Sequence, residues 1–145
     1  MIGLLQRVSH AEVRIGDKSV GAIGLGLMVL VGVRPDDDEA TAARLAKRLL
    51  QYRVFPDAAG KMNLSLREVQ GELLLVPQFT LAADTARGSR PGFSTAAAPE
   101  LGRRLFDRLL EEARADYGRV ASGVFGAHMQ VSLTNDGPVT IWLES

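Results

Sequence analysis

Cysteine is missing from the 145-residue chain. Disulfides, thiolate metal sites and cysteine nucleophiles are therefore excluded, and a chain without disulfides is compatible with a reducing cytosol. No apolar run approaches the roughly 20 residues that a membrane-spanning helix needs. Because residues 1–7 have no charged leader ahead of an apolar stretch, we expect no signal peptide, no membrane contact and a cytoplasmic location.

An excess of charge of either sign is also missing, since 17 basic residues balance 17 acidic ones. Proteins that grip many phosphates are usually basic or carry a basic face. If this protein binds RNA, we expect it to hold an end or a few phosphates. The length and the 46% share of apolar residues predict one globular domain over residues 1–145.

Apolar periodicity predicts strands before, between and after two main helices. The predicted strands are residues 4–8, 11–15, 19–23, 27–33, 72–76, 128–134 and 139–144. Asp36–Glu39 opens the first helix, whose buried stripe is Ala42, Leu45, Ala46, Leu49 and Leu50. Pro99 suits the first turn of the second helix, which stops near Gly118. This order favours an α/β fold with a mixed, barrel-like sheet covered by two main helices.

Two segments resemble ligand sites only superficially. The glycines of residues 21–26 are followed by β-branched residues instead of a helix, so we interpret them as a hairpin turn and not as a phosphate-binding loop. The three aspartates at 36–38 lack the glycine and distal glutamate of a calcium loop, so they indicate a helix start. We predict neither a cofactor nor a metal ion.

The segment Asn135–Thr140 lies between two alternating runs and has strong turn chemistry. Gly137 is followed by Pro138, and an X–Pro bond can be cis at a cost of only about 0.5–1 kcal/mol. Such a bond can hold carbonyl oxygens in a fixed direction with no glycine Cβ in the way. An ordinary hairpin with a stiffening proline is the alternative interpretation.

A second candidate segment, Gln78-Phe79-Thr80, follows a buried strand that ends at Pro77. A proline interrupts a strand's hydrogen-bond ladder, so neighbouring N–H groups become available to an anion or oxyanion. A strand that simply ends in a turn is the alternative.

Taken whole, the sequence resembles the D-aminoacyl-tRNA deacylase family. The resemblance covers nearly the full length and rests on Gln6–Val8, Gly60–Asn63, Gln78–Thr85, Phe125–Ala127, Val131–Leu133 and Asn135–Thr140. It implies a homodimeric hydrolase that cleaves the ester between a D-amino acid, or glycine, and the terminal ribose of tRNA. The family motif has serine where this chain has Pro77, which offers neither a hydroxyl nor an N–H, so Pro77 is left out of the site.

The resemblance also implies roles for individual residues. Gly137 and Pro138 would form a cis peptide that enters the partner subunit's pocket and rejects L-aminoacyl groups. Gln78, Phe79 and Thr80 would line the reaction centre. Phe125 and Met129 would pack against the terminal adenine, and Arg7 would brace the Gly-Pro turn.

Two routes of ester cleavage remain open. The ribose 2′-hydroxyl can assist while backbone N–H groups near Phe79 and Thr80 stabilise the oxyanion, and we favour this route. The rival is attack by the Thr80 hydroxyl, which needs a base, and the chain has only His10 and His128.

Basic side chains on the helices and in the loop after residue 83 are candidates for contacts with tRNA phosphates. They are Arg44, Lys47, Arg48, Arg87, Arg90, Arg103, Arg104 and Arg108. Two other functions stay open: a non-catalytic dimeric module that binds a nucleotide or small ligand, and an esterase that acts on D-amino-acid esters without tRNA.

Overall fold

A six-stranded mixed sheet and two helices make up most of the chain. The computed structural model describes residues 1–145. The strands are β1 (Ile2–Ile15), β2 (Lys18–Ile23), β3 (Gly26–Gly32), β4 (Phe55–Pro56), β5 (Met62–Leu64), β6 (Glu72–Pro77), β7 (Val120–Ser122) and β8 (Gln130–Glu144). The helices are α1 (Glu39–Gln51) and α2 (Pro99–Asp116), and a 3₁₀ turn occupies Phe79–Ala82. The predicted α/β fold with a mixed, barrel-like sheet and two main helices is confirmed.

The long strand β1 organises the sheet. Strand β8 pairs antiparallel with β1 along nearly its whole length. On the other edge, β2 pairs with residues 11–15 of β1 and β3 pairs with residues 2–8. Strands β3, β6 and β7 then continue the sheet in parallel. The prediction of two strands at residues 4–8 and 11–15 is therefore wrong, because one strand spans both.

The hairpin predicted at residues 21–26 is also wrong. Strands β2 and β3 both run antiparallel to β1, so the chain keeps its direction between them. Gly26 is needed for a different reason. A Cβ there would lie 1.9 Å from the backbone oxygen of Glu72, at the start of the β3–β6 ladder. The glycine permits a close approach of two backbones.

The turn predicted between residues 135 and 140 is a bulge within β8. Both halves of β8 pair with β1 in the same direction, so the chain does not reverse. Gln6 pairs with Thr140 and Val8 pairs with Asn135, which leaves residues 136–139 projecting opposite Arg7. Extra residues on one strand of an antiparallel pair are the defining feature of a bulge.

The two helices pack over one face of the sheet. All five residues of the predicted α1 stripe are buried in the larger apolar cluster, together with Leu105, Phe106 and Leu109 of α2. Asp38 caps α1 by accepting a hydrogen bond from the Thr41 N–H at 2.7 Å, as expected of an acidic helix start. Neither helix is long and apolar enough to cross a membrane.

Candidate active site

The segment Gln78–Thr80 leads from the end of β6 into the 3₁₀ turn. The Gln78 N–H donates to the Val31 carbonyl at 2.7 Å, so the β3–β6 pairing continues past Pro77. The N–H groups of Phe79 and Thr80 are the first of the turn and have no partner within it. The amides available to a ligand therefore begin at Phe79, one residue later than the proline would suggest.

The side chains of Gln78 and Thr80 are joined. The Gln78 Nε2 donates to the Thr80 Oγ1 at 2.6 Å, and the Thr80 side chain is exposed. Gln78 is the only side chain that hydrogen-bonds to this hydroxyl; no histidine or carboxylate does so, and His10 contacts Ser9 and Thr134 instead. The Thr80 hydroxyl consequently lacks the neighbouring base that a nucleophilic hydroxyl needs.

An apolar cavity of about 200 Å³ adjoins the 3₁₀ turn and is bounded by both Phe79 and Phe125. Its other walls are Val31, Val33, Pro77, Ala97, Pro99, Gly102, Phe106 and Gly126. Gly102 lets the Phe125 ring lie against α2, because a Cβ there would be 3.2 Å from Phe125 Cζ. Two aromatic faces in an apolar cavity suit a planar base.

Met129 does not line this cavity. Its sulfur accepts a hydrogen bond from the Val124 N–H at 3.3 Å and lies 2.9 Å from where a Gly123 Cβ would stand. The side chain packs against the smaller apolar cluster under β1, β3 and β6. The structure therefore brings Phe125, but not Met129, to the cavity beside Phe79.

A wider, open groove of about 890 Å³ continues from Thr80 to Arg34 and Trp142. The Arg34 guanidinium and the Trp142 Nε1 both donate to Oε1 of Glu144, at 2.8 and 2.9 Å. These contacts, with the Arg34 hydrogen bond the strongest, lower the pKa of Glu144 to about 2. Glu144 thus stays ionised and holds Arg34 and Trp142 at this rim.

The bulge at residues 136–139 is fastened at its base by Asn135. The Asn135 Oδ1 accepts from the Val139 N–H at 2.7 Å, and its Nδ2 donates to the Val139 carbonyl at 3.1 Å and to Thr140 Oγ1 at 3.0 Å. Asn135 belonged to the sequence motif, but no role was predicted for it. The asparagine ahead of Asp-Gly was the available signal, since this side chain readily bonds the backbone that follows.

Arg7 holds the tip of the same bulge. Its Nε donates to the Asp136 carbonyl at 2.8 Å, and its Nη1 donates to the Val54 carbonyl at 2.6 Å. The Gly137–Pro138 peptide bond is cis, and Gly137 has a φ of 153°. A Cβ on Gly137 would lie 2.7 Å from the Val139 nitrogen, so glycine is required there.

The structure does not unite all the predicted site residues within one chain. Gly137 and Pro138 are exposed and line neither the apolar cavity nor the open groove. They project from β8, whose second edge pairs with no other strand. The surface formed by Gln78–Thr80 and the Gly-Pro bulge are therefore two separate surfaces of the chain.

Known proteins of one family match this chain over nearly its whole length. Residues 4–144 match the family described as D-Tyr-tRNA(Tyr) deacylase. The chain is 62% identical over 145 residues to a D-aminoacyl-tRNA deacylase of Pseudomonas syringae pv. tomato, covering 100% of both. It is 61% identical over 144 residues to that of Thioalkalivibrio sulfidiphilus, covering 99% of this chain and 97% of the relative.

Solved structures share the fold. The protein titled "c-Myc DNA Unwinding Element Binding Protein" superposes with a TM-score of 0.95 at 38% identity, covering 100% of this chain and 99% of its own. A probable eukaryotic D-amino acid tRNA deacylase superposes with a TM-score of 0.89 at 21% identity, covering 99% and 98%. The second likeness is evidence of the fold alone.

Proposed function

The chain belongs to the D-Tyr-tRNA(Tyr) deacylase family, and we propose that it hydrolyses the ester of D-aminoacyl-tRNA and releases the D-amino acid and the tRNA. The observation that carries this proposal is the full-length sequence match. Glycine mischarged on tRNA is a second expected substrate, because glycine has no side chain to be rejected. Since tRNA is charged in the cytoplasm, we place the protein there.

Rejection of L-aminoacyl groups is assigned to Gly137 and Pro138. Contacts with one extra methylene discriminate by only about 1–3 kcal/mol, so attractive contacts alone make a poor filter against abundant L-substrates. Backbone carbonyls held where an L side chain would project reject it by clash and desolvation. The fastening of the bulge by Arg7 and Asn135 supports this role.

Ester cleavage is assigned to the surface formed by Gln78, Phe79 and Thr80. The N–H groups of Phe79 and Thr80, which have no partner within the 3₁₀ turn, are suited to stabilise the oxyanion of the tetrahedral intermediate. The ribose 2′-hydroxyl next to the ester assists the attack, so the protein supplies position and electrostatics. The hydrogen bond from Gln78 to Thr80, and the lack of a base, support this route over attack by the threonine.

A homodimer with sites shared between subunits completes the proposal. A long strand with one unpaired edge is normally covered or paired, and β8 exposes Val131 and Trp142. Because Gly137 and Pro138 line no cavity of their own chain, we propose that they enter the cavity region of a second copy. Phe125 would then hold the terminal adenine against Phe79, with Met129 supporting the neighbouring turn.

One experiment separates this function from its two alternatives. The protein is incubated with D-tyrosyl-tRNA, L-tyrosyl-tRNA and D-tyrosine methyl ester, and release of tyrosine is followed. We expect rapid release from the first substrate only. Retention of ligand without turnover would indicate a binding module, and equal cleavage of the methyl ester would indicate a tRNA-independent esterase.

Mixed dimers test the shared site. One chain carries Gln78→Ala and Phe79→Ala to disable the pocket, and a differently tagged chain carries Arg7→Ala to loosen the filter. In the purified mixed dimer, a shared site joins the intact pocket of the second chain to the intact bulge of the first. We expect D-over-L selectivity to return to the wild-type value. Selectivity equal to that of the Arg7→Ala homodimer would contradict a cross-subunit filter.

A further inference from the structure

The first turns of α2 carry two arginines next to the aromatic cavity. We propose that Arg103 and Arg104 bind backbone phosphates of the single-stranded 3′ end of the tRNA, just upstream of the terminal adenosine. This inference rests on the proposed function and adds to it the path of the tRNA strand. The strand would leave the cavity over the N-terminal turns of α2.

The apolar cavity adjoins the groove that carries the two arginines. A surface groove of about 450 Å³ is lined by Pro99, Glu100, Arg103, Arg104, Asp107 and Phe125. It shares Pro99 and Phe125 with the apolar cavity. This shared edge would place the sugar and phosphate of a nucleotide whose base enters the cavity beside the groove.

Arg103 links the aromatic and the charged parts of the path. Its guanidinium carbon lies 5.0 Å from the centre of the Phe125 ring, and Nη2 donates to the Phe125 carbonyl at 3.3 Å. This places a positive charge over the Phe125 ring. Aromatic faces combined with basic side chains are the means by which proteins bind single-stranded nucleic acid.

The guanidinium of Arg104 has no partner within the chain. The Arg104 side chain is exposed, forms no ion pair and makes no hydrogen bond within the chain. Two other basic residues of the helices are engaged: Arg108 pairs with Glu39 and Glu112, and Arg48 donates to the Glu144 carbonyl. Arg114 is also unpaired, but it lies in the last turn of α2 and does not line the groove. An unpaired arginine in the groove beside the cavity is available for a phosphate.

Glu100 and Asp107 share the groove but do not pair with either arginine. Their negative charges oppose a phosphate, which limits the affinity of the path and agrees with contacts to only a few phosphates. They also allow a test in which a substitution is expected to increase the affinity for tRNA. Removing the charge of Asp107 should strengthen the binding of tRNA.

The experiment measures kcat/KM for D-tyrosyl-tRNA as a function of salt in the wild type, Arg104→Ala, Arg104→Lys, Asp107→Asn and Arg114→Ala. Arg114 is the matched control, since it is an exposed arginine in the last turn of the same helix. Each phosphate contact on a single strand contributes a slope of about 0.7 in a plot of log affinity against log salt. We expect the salt slope of Arg104→Ala to be smaller than that of the wild type by about this amount.

Three further outcomes are expected. Arg104→Lys retains most of the slope, Asp107→Asn raises kcat/KM about two- to threefold at low salt, and Arg114→Ala runs parallel to the wild type. The ratio of kcat/KM for D-tyrosyl-tRNA to that for 2′(3′)-O-D-tyrosyl adenosine, which has no phosphate, should fall in Arg104→Ala. A slope for Arg104→Ala equal to that of Arg114→Ala overturns the inference. A wild type inactive on D-tyrosyl-tRNA overturns the proposed function instead.

Discussion

Replacing Arg7 by alanine should both destabilise the protein and weaken its preference for D-substrates. The side chain is only 13% exposed and spans two carbonyls, those of Asp136 in the bulge and Val54 after α1. Hydrogen bonds to a charged group contribute about 1.5–3 kcal/mol each. Val54 is buried, so loss of the hydrogen bond to its carbonyl should cost most of that free energy. Water can replace the exposed hydrogen bond to the Asp136 carbonyl, so its loss should cost less.

The sum for Arg7→Ala is a loss of about 2–4 kcal/mol in the free energy of unfolding. For a chain of this size the loss corresponds to roughly 6–15 °C in Tm. The contact to Asp136 also fixes the bulge. We therefore expect the ratio of kcat/KM for D-tyrosyl-tRNA to kcat/KM for L-tyrosyl-tRNA to fall at least about tenfold, which corresponds to about 1.4 kcal/mol of lost discrimination. Thermal unfolding and deacylation of both substrates measure the two effects.

Two variants make this test specific. Arg7→Lys keeps a charge that reaches one carbonyl, so its losses should be intermediate. Arg14→Ala is the matched control on the same strand, because Arg14 is 40% exposed and pairs with Glu12 at the surface. Its effect should stay below about 1 kcal/mol with selectivity preserved. A large drop in Tm for Arg7→Ala with unchanged selectivity would refute the link between the bulge and the filter.

Three further predictions concern the reaction centre, the sheet and pH. Thr80→Ala should keep activity within about tenfold, because no base activates its hydroxyl, and a loss of three or more orders of magnitude in turnover would favour the nucleophilic route. Gly26→Ala should lose about 3 kcal/mol or more, measured by urea unfolding against Gly118→Ala as control, because its Cβ would meet the Glu72 oxygen at 1.9 Å whereas the space around Gly118 is open. Because the folded-state pKa of Glu144 is lowered to about 2, its stabilisation is complete above its ordinary pKa of 4.5 and is lost as the pH falls towards about 2. The Tm difference between wild type and Glu144→Gln should shrink over that range, and a carboxyl NMR titration with a midpoint near the ordinary value would contradict it.

Local sequence patterns correctly predicted the features that depend only on residues close together in the sequence. The α1 stripe from Ala42 to Leu50 and the cap at Asp38 follow from helical periodicity and capping chemistry, and the structure confirms both. The strand predicted at residues 19–23 is also confirmed, since β2 runs from Lys18 to Ile23.

Local sequence patterns could not predict which segments pair with β1, because those segments are distant from it in the sequence. A glycine-rich segment between two strands has the same appearance whether the chain reverses or passes through a bulge. The choice at residues 21–26 and 135–140 depends on β1, which pairs with both sides of each segment. Gly26 is explained only by the Glu72 backbone, which is remote in sequence. The contact of Arg7 with Val54 was likewise invisible to sequence periodicity.

The stiffness of the bulge sets an upper limit on the selectivity of the proposed filter. An L-substrate could bind by pushing Gly137 and Pro138 aside, so the free energy of displacing the bulge must match the discrimination required. A thousandfold preference corresponds to about 4 kcal/mol. Arg7 and the reciprocal Asn135–Val139 pair supply three hydrogen bonds at 2.6–2.8 Å and one at 3.1 Å. The Arg7–Val54 bond fixes Arg7 itself, so the bulge is held directly by one charged bond of about 1.5–3 kcal/mol and two neutral bonds of about 1 kcal/mol each. These reach the required size only together. Loss of either anchor should therefore admit L-substrates before it unfolds the chain.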